Sequence, residues 1–415
     1  MAPESRPRLV RDAPAAALAE PLRSVSIAVV CQSYPPIVGG SEIEAQRVCA
    51  GLLKRGHKVE VICEGAPPMP PLTRWTDPLG VSVRLIGTGL PPAIRGYAYA
   101  LGIAWTLLRN RASYDVVYFL MSGLHLATGL PAARLRRIPI LMKFSGSSLI
   151  RRMKDSWLGR LELRFLNQWA DHVLVLNEGM LDEADEVGLD ASRIAWMPNP
   201  VDVDEFRPPA CEEKARLRRE FHLPIGAPVV LFVGRLAPEK ELSSLIAAFR
   251  EVLDHRPDAI LVLAGDGPSR AELESSATNL LGSSIRFTGM VPVNNVRLYM
   301  QASDVFALVS SLEGLPVSLI EAMAVGLPSV VSDIPANLQL IESGNHGLAV
   351  PVGDSHAIAR SILTLIEDES GRRAMGASAR AKVSAAYATE SVVRRYERLF
   401  AGMLRSSPAA GTTHT

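Results

Sequence analysis

Short runs rich in Val, Ile and Leu recur along this chain between longer stretches whose apolar residues follow helical spacing. A strand covered on both faces reads as a continuous apolar run, whereas a strand with one wet face alternates. The pattern therefore predicts βαβ units around buried parallel sheets. In the first half the strand-like runs are 25–31, 58–63, 115–120, 138–144, 172–176 and 193–197, with helical stretches at 41–56, 98–110, 156–170 and 178–187. At Pro198 the alternation breaks into Pro-Asn-Pro-Val-Asp-Val-Asp and then Arg207-Pro208-Pro209, which can extend neither a strand nor a helix. It restarts with strands at 229–233, 260–264, 285–288, 305–309 and 329–332, and helices near 242–253, 269–276, 317–325, 357–367 and 390–404. The fold class is thus α/β: two doubly wound domains, 25–205 and 206–388, with a cleft expected between them. A helix at 389–404 is expected to cross back to the first domain, and residues 1–24 and 405–415 read as a disordered leader and tail.

Composition narrows the function. The 44 basic and 43 acidic side chains leave a formal charge of +1, too small to draw nucleic acid to the chain as a whole. Cys31, Cys49, Cys63 and Cys211 include no close pair of the kind used for zinc or redox exchange, which fits a reducing, cytoplasmic setting. Charges at Arg6, Arg8, Arg11, Asp12 and Glu20 interrupt the leader, so it does not read as a signal peptide. The longest strongly apolar run, 97–108, is well short of the roughly 20 residues a membrane-spanning helix needs.

Four stretches carry candidate chemistry, each where a strand gives way to a helix. Gly39-Gly40-Ser41 opens the first helix, either as a plain helix N-terminus or as a place where unpaired backbone N–H groups and the positive end of the helix dipole can take a ligand, and Ser41 with Glu44 reads as a capping box. Gly234-Arg235-Leu236-Ala237-Pro238-Glu239-Lys240 places two cations at a strand's carboxyl edge. Arg can grip two oxygens of a diphosphate while Lys supplies a mobile point charge. The same run also reads as a solvated loop in which Glu239 pairs with Arg235 or Lys240. Gly265-Asp266-Gly267-Pro268 is no dinucleotide fingerprint, because Arg270 stands where the third glycine belongs; it reads as a tight turn, structural rather than phosphate-tolerant by preference. Finally, Glu313 and Glu321 bracket the turn Gly314-Leu315-Pro316. Glu321 falls inside an apolar run that buries it, and such a carboxylate needs a partner: a ribose hydroxyl pair or a salt bridge.

This combination resembles the retaining glycosyltransferases of family 4, over roughly residues 25–404. The residues that carry the resemblance are Tyr34-Pro35-Pro36 with Gly39-Gly40-Ser41-Glu42, Pro198-Asn199-Pro200-Val201-Asp202, Gly234-Arg235 with Glu239-Lys240, Gly265-Asp266-Gly267-Pro268, the two glutamates, and Ser332-Asp333-Ile334-Pro335 with Asn337 and Ile341. It implies the GT-B arrangement of two Rossmann-like domains, and a transferase that moves a sugar from a UDP-sugar or GDP-sugar to a glycan or lipid-linked acceptor. It further implies that Arg235 and Lys240 bind the donor's diphosphate, Glu321 the ribose, and Glu313 the sugar near the reacting carbon. Gly314 and Leu315 would offer backbone N–H groups, Gly39 and Gly40 would approach the diphosphate, and Val291 would meet the base. Neither a metal nor another cofactor is expected.

Two features depart from the family. Members often carry histidines after the strands at 116–120 and 138–144, yet this chain has Tyr118, Leu120 and Ser145-Gly146, which makes Lys143 or Ser145 the candidate sugar contact and leaves His125 as a surface or partly packed residue. Residues 131–164 hold nine Lys or Arg against Asp155 and Glu162, interleaved with Ile138, Phe144, Leu149, Ile150, Met153 and Trp157. This is a candidate surface for anionic lipid at the inner membrane face, or else a set of helix faces offset by the acidic stretch 178–190. On the residues alone, a sugar-nucleotide epimerase and a non-catalytic nucleotide-sugar-binding partner protein also stay open.

Overall fold

The computed structural model describes residues 23–37, 39–67, 69, 73–109 and 114–406. The expected leader up to residue 22 and tail from residue 407 lie outside these. The chain divides into two compact units, one formed by residues up to Pro200 with the chain from Thr389, the other by Val201–Ala388.

The first unit is built on β1 (Ser26–Val30), β2 (Lys58–Glu64), β3 (Arg74–Thr76), β4 (Ser82–Ile86), β5 (Val116–Leu120), β6 (Ile140–Lys143), β7 (His172–Val175) and β8 (Ile194–Trp196). They form one sheet in the order β3-β4-β2-β1-β5-β6-β7-β8, parallel except for the β3/β4 pair. Its helices are α1 (Gly40–Lys54), α2 (Pro92–Arg109), α3 (Leu124–Leu135), α4 (Leu149–Arg152), α5 (Trp157–Trp169) and α6 (Glu178–Glu186). The central strands β1 and β5 are buried along almost their whole length, as their unbroken apolar runs require, and each such Val, Ile or Leu contributes about 1.5–3 kcal/mol. Four elements were not foreseen. Strand β3 is a three-residue edge with exposed ends, β4 alternates buried with partly open positions, α3 runs through Pro131, and α4 is a single short turn.

The second unit holds β9 (Val229–Val233), β10 (Ile260–Ala264), β11 (Ile285–Gly289), β12 (Val305–Leu308), β13 (Ser329–Ser332) and β14 (Gly347–Val350), all parallel, in the order β11-β10-β9-β12-β13-β14. Its helices are α7 (Cys211–Glu220), α8 (Leu242–His255), α9 (Arg270–Ser276), α10 (Val293–Ala302), α11 (Val317–Val325), α12 (Pro335–Leu340), α13 (Ser355–Glu367) and α14 (Glu369–Ala386). Helices α7 and α14 escaped the sequence reading because each has a single larger apolar residue on its buried face, Leu217 beside Arg218 in α7 and Val383 with Gly376 and Ala379 in α14, too few for a helical period.

The last helix, α15 (Thr389–Ser406), belongs to the first unit. Its Tyr396 hydroxyl lies 2.8 Å from that of Tyr118 in β5, and its Glu397 carboxylate accepts from Arg55 at 2.7 Å and meets the His57 ring at 3.0 Å. Strand order reverses between β1 and β5 in one sheet and between β9 and β12 in the other. Loops splay apart at such points, leaving a crevice outside the carboxyl ends of the strands.

Candidate active site

At the β9/β12 reversal the two splayed loops carry opposite charges that meet. Leaving β9, the chain passes Gly234 and Arg235 and makes one tight helical turn, Pro238–Lys240, before α8. The Lys240 ammonium donates to Glu313 Oε1 at 2.6 Å, and the Ser310 hydroxyl donates to the same oxygen at 2.7 Å. Both charged side chains are mostly shielded, with 17% and 11% of their surfaces exposed. The loop after β12 is held further by Ser311 N–H donating to Glu239 O at 2.9 Å and by the Ser332 hydroxyl donating to Ser310 O. Arg235 stands outside this knot. It is two-thirds exposed and donates to Glu239 Oε1 at 2.6 Å. Burial works to raise the Glu239 carboxyl, yet its own backbone N–H and the Arg235 guanidinium together hold it below the usual range.

The glycines after β10 are fixed by backbone packing. Leu236 N–H donates to Asp266 O, and Gly234 N–H to Ala264 O, so the two loops lie against each other. A Cβ on Gly265, at φ +149°, would sit 1.9 Å from Gly234 O, and one on Gly267 would sit 2.3 Å from Leu236 O. The structural reading of that turn agrees with this geometry, and its effect is to set the path of the Arg235 loop. Glu321 lies on the buried face of α11, and Leu315 is buried ahead of it. Val291 is half-buried after β11, at the far edge of the sheet, and Gly314 is likewise half-buried beside Glu313.

In the first unit the structure corrects several expectations. Gly39, not Ser41, caps α1, and it does so without a side-chain bond. The Ser41 hydroxyl donates to Glu42 Oε2 at 3.0 Å, while Glu44 points into the core, so there is no capping box. Lys143, a candidate sugar contact, is wholly buried with its ammonium bonded to Glu44, and so presents nothing to a ligand. Ser145, in the loop after β6, is half-buried, and its hydroxyl is shielded with no hydrogen-bond partner. His125 is not a surface residue: burial pushes its imidazole down to about 4, against the pull of the Met121 and Leu120 backbone. Of the basic-apolar stretch 131–164, Ile138, Phe144, Ile150 and Met153 are core residues and the Arg151 guanidinium donates to Glu186 at 2.7 Å, inside the acidic stretch, whereas Trp157 stays 72% exposed. Exposed apolar side chains also line up on α2, at Ile94, Tyr97, Leu101 and Trp105.

Several buried carboxylates escaped the sequence reading, Glu44 and Glu162 among them with Asp77, Glu183 and Glu397. Glu162 on α5 is pushed up to about 7 by burial, against the Gly123 backbone N–H. Glu44 is its counterpart on α1. Both fall on the apolar stripes of their helices, Glu44 with Val48 and Leu52, Glu162 with Gly159 and Leu166, and that periodicity was the available signal. A separate cavity of about 590 Å³ opens at the amino-terminal edge of the second sheet. Its cations serve the fold: Arg218, for one, donates to the carbonyls of Ala302, Ile225 and Ala227 and to Asp304.

Known proteins share this arrangement. The family model described as Glycosyltransferase Family 4 matches residues 38–205, and that described as Glycosyl transferases group 1 matches residues 213–382. A GDP-mannose-dependent alpha-mannosyltransferase of Mycolicibacterium smegmatis is 31% identical over 379 residues, covering 86% of this chain and 92% of that one. The chain belongs to glycosyltransferase family 4. The N-acetyl-alpha-D-glucosaminyl L-malate synthase of Bacillus anthracis is 24% identical to this glycosyltransferase over 388 residues, covering 92% and 98% of the two chains. Among solved structures, Anabaena Alr3699/HepE in complex with UDP and glucose matches it with a TM-score of 0.77 at 21% identity, over 91% of this chain and 100% of that one. The fold of the glycosyltransferase is GT-B, with two Rossmann-like α/β units.

Proposed function

We propose that this glycosyltransferase moves a sugar from a UDP-sugar or GDP-sugar to a hydroxyl of a glycan or lipid-linked acceptor, retaining the anomeric configuration, in polysaccharide or glycoconjugate synthesis. The observation that carries this reading is the Lys240–Glu313 contact at the β9/β12 reversal, with Arg235 exposed on the same loop. Breaking the anomeric C–O bond sends negative charge onto the departing diphosphate. Cations fixed at that spot stabilise the transition state more than the ground state, because the charge they meet grows as the bond breaks. In this scheme Lys240 and Arg235 take the diphosphate. Glu313, held by Ser310, keeps the ammonium oriented before the donor arrives and then receives hydroxyls of the transferred sugar. Glu321 binds the ribose, Gly314 and Leu315 offer backbone N–H groups, Val291 meets the base, Gly39 and Gly40 approach the phosphates, and Ser145 touches the sugar.

Retention follows if the acceptor hydroxyl attacks on the face the diphosphate leaves, with a phosphate oxygen taking its proton. The side chains supply the neutralising charge, so no metal ion is required. Support for the donor class comes from the GDP-mannose-dependent relative and from the UDP held by the Anabaena protein. In this reading the enzyme works in the cytoplasm; none of the described helices is long and apolar enough to cross a membrane, and the four cysteines are free thiols.

The test is a thermal-shift screen of UDP-, GDP- and ADP-sugars, followed by transfer with the donor that stabilises the protein. Proton NMR of the product is expected to show the donor's anomeric configuration, and activity is expected to survive EDTA. An inverted product, or activity that returns only with added divalent cation, would overturn those parts of the reading.

A further inference from the structure

A second lysine–glutamate pair lies in the first unit, and nothing in the proposed chemistry uses it. Lys143 is the last residue of β6, and its ammonium donates to Glu44, in the second turn of α1, and to Asn199 Oδ1 at 3.3 Å. Lys143 and Glu44 are 0% and 1% exposed. The second carboxylate oxygen, Glu44 Oε2, is buried with no hydrogen-bond partner. Around the pair lie Tyr118 of β5 and Tyr396 of α15, whose hydroxyls bond to each other, and Cys49 of α1.

Such a pair is a poor way to stabilise a core. Removing two charges from water costs more than their attraction returns unless every lone pair is satisfied, and here one oxygen is not. An apolar pair of the same volume would serve the fold as well or better. What the ions add is direction, because a short charged contact fixes two backbone segments at one separation, whereas methyl groups tolerate sliding. The two segments are specific ones. Glu44 lies four residues after Gly40, at the amino end of α1, where no side chain caps the helix. Lys143 lies two residues before Ser145. Both loops leave the carboxyl edge of the first sheet, and Asn199 ties the end of the unit's own chain to the same ammonium.

We propose that Glu44 and Lys143 are positioning residues for sugar transfer: their buried contact holds the Gly39–Gly40 loop and the Ser145–Gly146 loop at the spacing the donor requires. The inference rests on the role given to those loops above. It replaces the sugar contact expected of Lys143 with an indirect role.

The experiment compares wild type with the double variant Glu44→Gln/Lys143→Met, which removes both charges and leaves no orphaned ion. UDP-glucose and GDP-mannose serve as donors. We expect the double variant to melt within a few degrees of wild type, or above it, while kcat falls at least about tenfold, since a displacement near 1 Å can cost on the order of a hundredfold. Lys240→Ala is the control for the underlying reading. If it is inactive while the double variant keeps wild-type kcat and KM, the positioning role is overturned and the diphosphate site stands. If Lys240→Ala itself retains full activity, the reading of that site fails first. Should the double variant not fold, Glu44→Asp decides: it keeps both charges and shortens the reach by one methylene, and an unchanged kcat there would equally overturn the proposal.

Discussion

The two lysine–glutamate pairs of this enzyme are alike in chemistry and opposite in setting. Lys240 and Glu313 meet where two loops splay apart at the carboxyl edge of the second sheet, and both keep part of their surface in solvent. Glu44 and Lys143 meet inside the first unit, cut off from water altogether. A pair at a crevice can exchange its partner for a ligand at little cost, because water and substrate replace the lost contact. A pair in the core cannot, since each charge is stranded without the other. The same two residue types are thus able to take a ligand in one place and suited to fixing geometry in the other, and burial sets the difference.

The largest effect should come from breaking the buried pair on one side only. Lys143→Met leaves the Glu44 carboxylate without its cation, and a stranded buried charge costs about 3–5 kcal/mol. Urea denaturation should show a midpoint well below that of wild type, and the Glu44→Gln change added to it should recover most of the loss. If the single and double variants unfold alike, the pair is not the buried contact described here.

Next in size is the crevice pair. If Lys240 meets the departing diphosphate as proposed, Lys240→Ala should lower kcat/KM on the order of 10²–10³, equivalent to about 3–4 kcal/mol of transition-state stabilisation. Its melting temperature should stay close to that of wild type, because Glu313 can reach water and keeps the Ser310 hydroxyl. A large loss of stability with modest loss of activity would make the two pairs alike after all.

That contrast also shows how far the sequence could be read. The parallel strands and the loops carrying Arg235, Lys240, Glu313 and Glu321 were legible because apolar runs and strand-to-helix turns are local patterns. What Glu44 and Lys143 do was not legible, because their contact spans 99 positions in sequence and joins α1 to β6 only once the sheet is assembled. The capping-box reading of Ser41 and Glu44 used a local rule, and tertiary burial overrode it. Helix α14 and strand β14 stayed hidden for another reason: Gly376, Ala379 and Gly347 pack by smallness, which leaves no apolar period to find.

Two further buried groups bring pH into the comparison, with opposite signs. Glu162 has its carboxyl raised to about 7 by burial, so folding is favoured at low pH, and that advantage is lost as pH rises from near 4.5 through 7. His125 has its imidazole lowered to about 4 by burial, so its contribution is present above pH 6.5 and lost as pH falls toward 4. Each spans roughly 3 kcal/mol, and between pH 4.5 and 6.5 the two largely offset each other. The joint contribution of these two groups to wild-type stability should therefore be nearly flat across that window. Glu162→Gln keeps an acceptor for the Gly123 N–H and should expose the histidine slope, so that the melting temperature falls as pH is lowered from 6.5 to 4.5. A variant as flat as wild type would mean that Glu162 is ionised and hydrated in the folded enzyme.

The smallest effect on stability belongs to Arg235, and it isolates what the crevice adds beyond charge. Its contact with Glu239 is exposed, and such surface pairs contribute about 0.2–1 kcal/mol, so Arg235→Lys should leave the melting temperature almost unchanged. Lysine keeps the positive charge but loses the planar fork that grips two phosphate oxygens at once. If Arg235 binds the diphosphate in that forked manner, Arg235→Lys should raise the donor KM and lower kcat/KM about tenfold, while Arg235→Ala goes further in the same direction. If instead the lysine variant matches wild type and only alanine suffers, the guanidinium acts as a point charge and the geometric demand of the site rests on Lys240 and Glu313 alone. Equal and full activity in both variants would leave Arg235 as the surface partner of Glu239, with no part in donor binding.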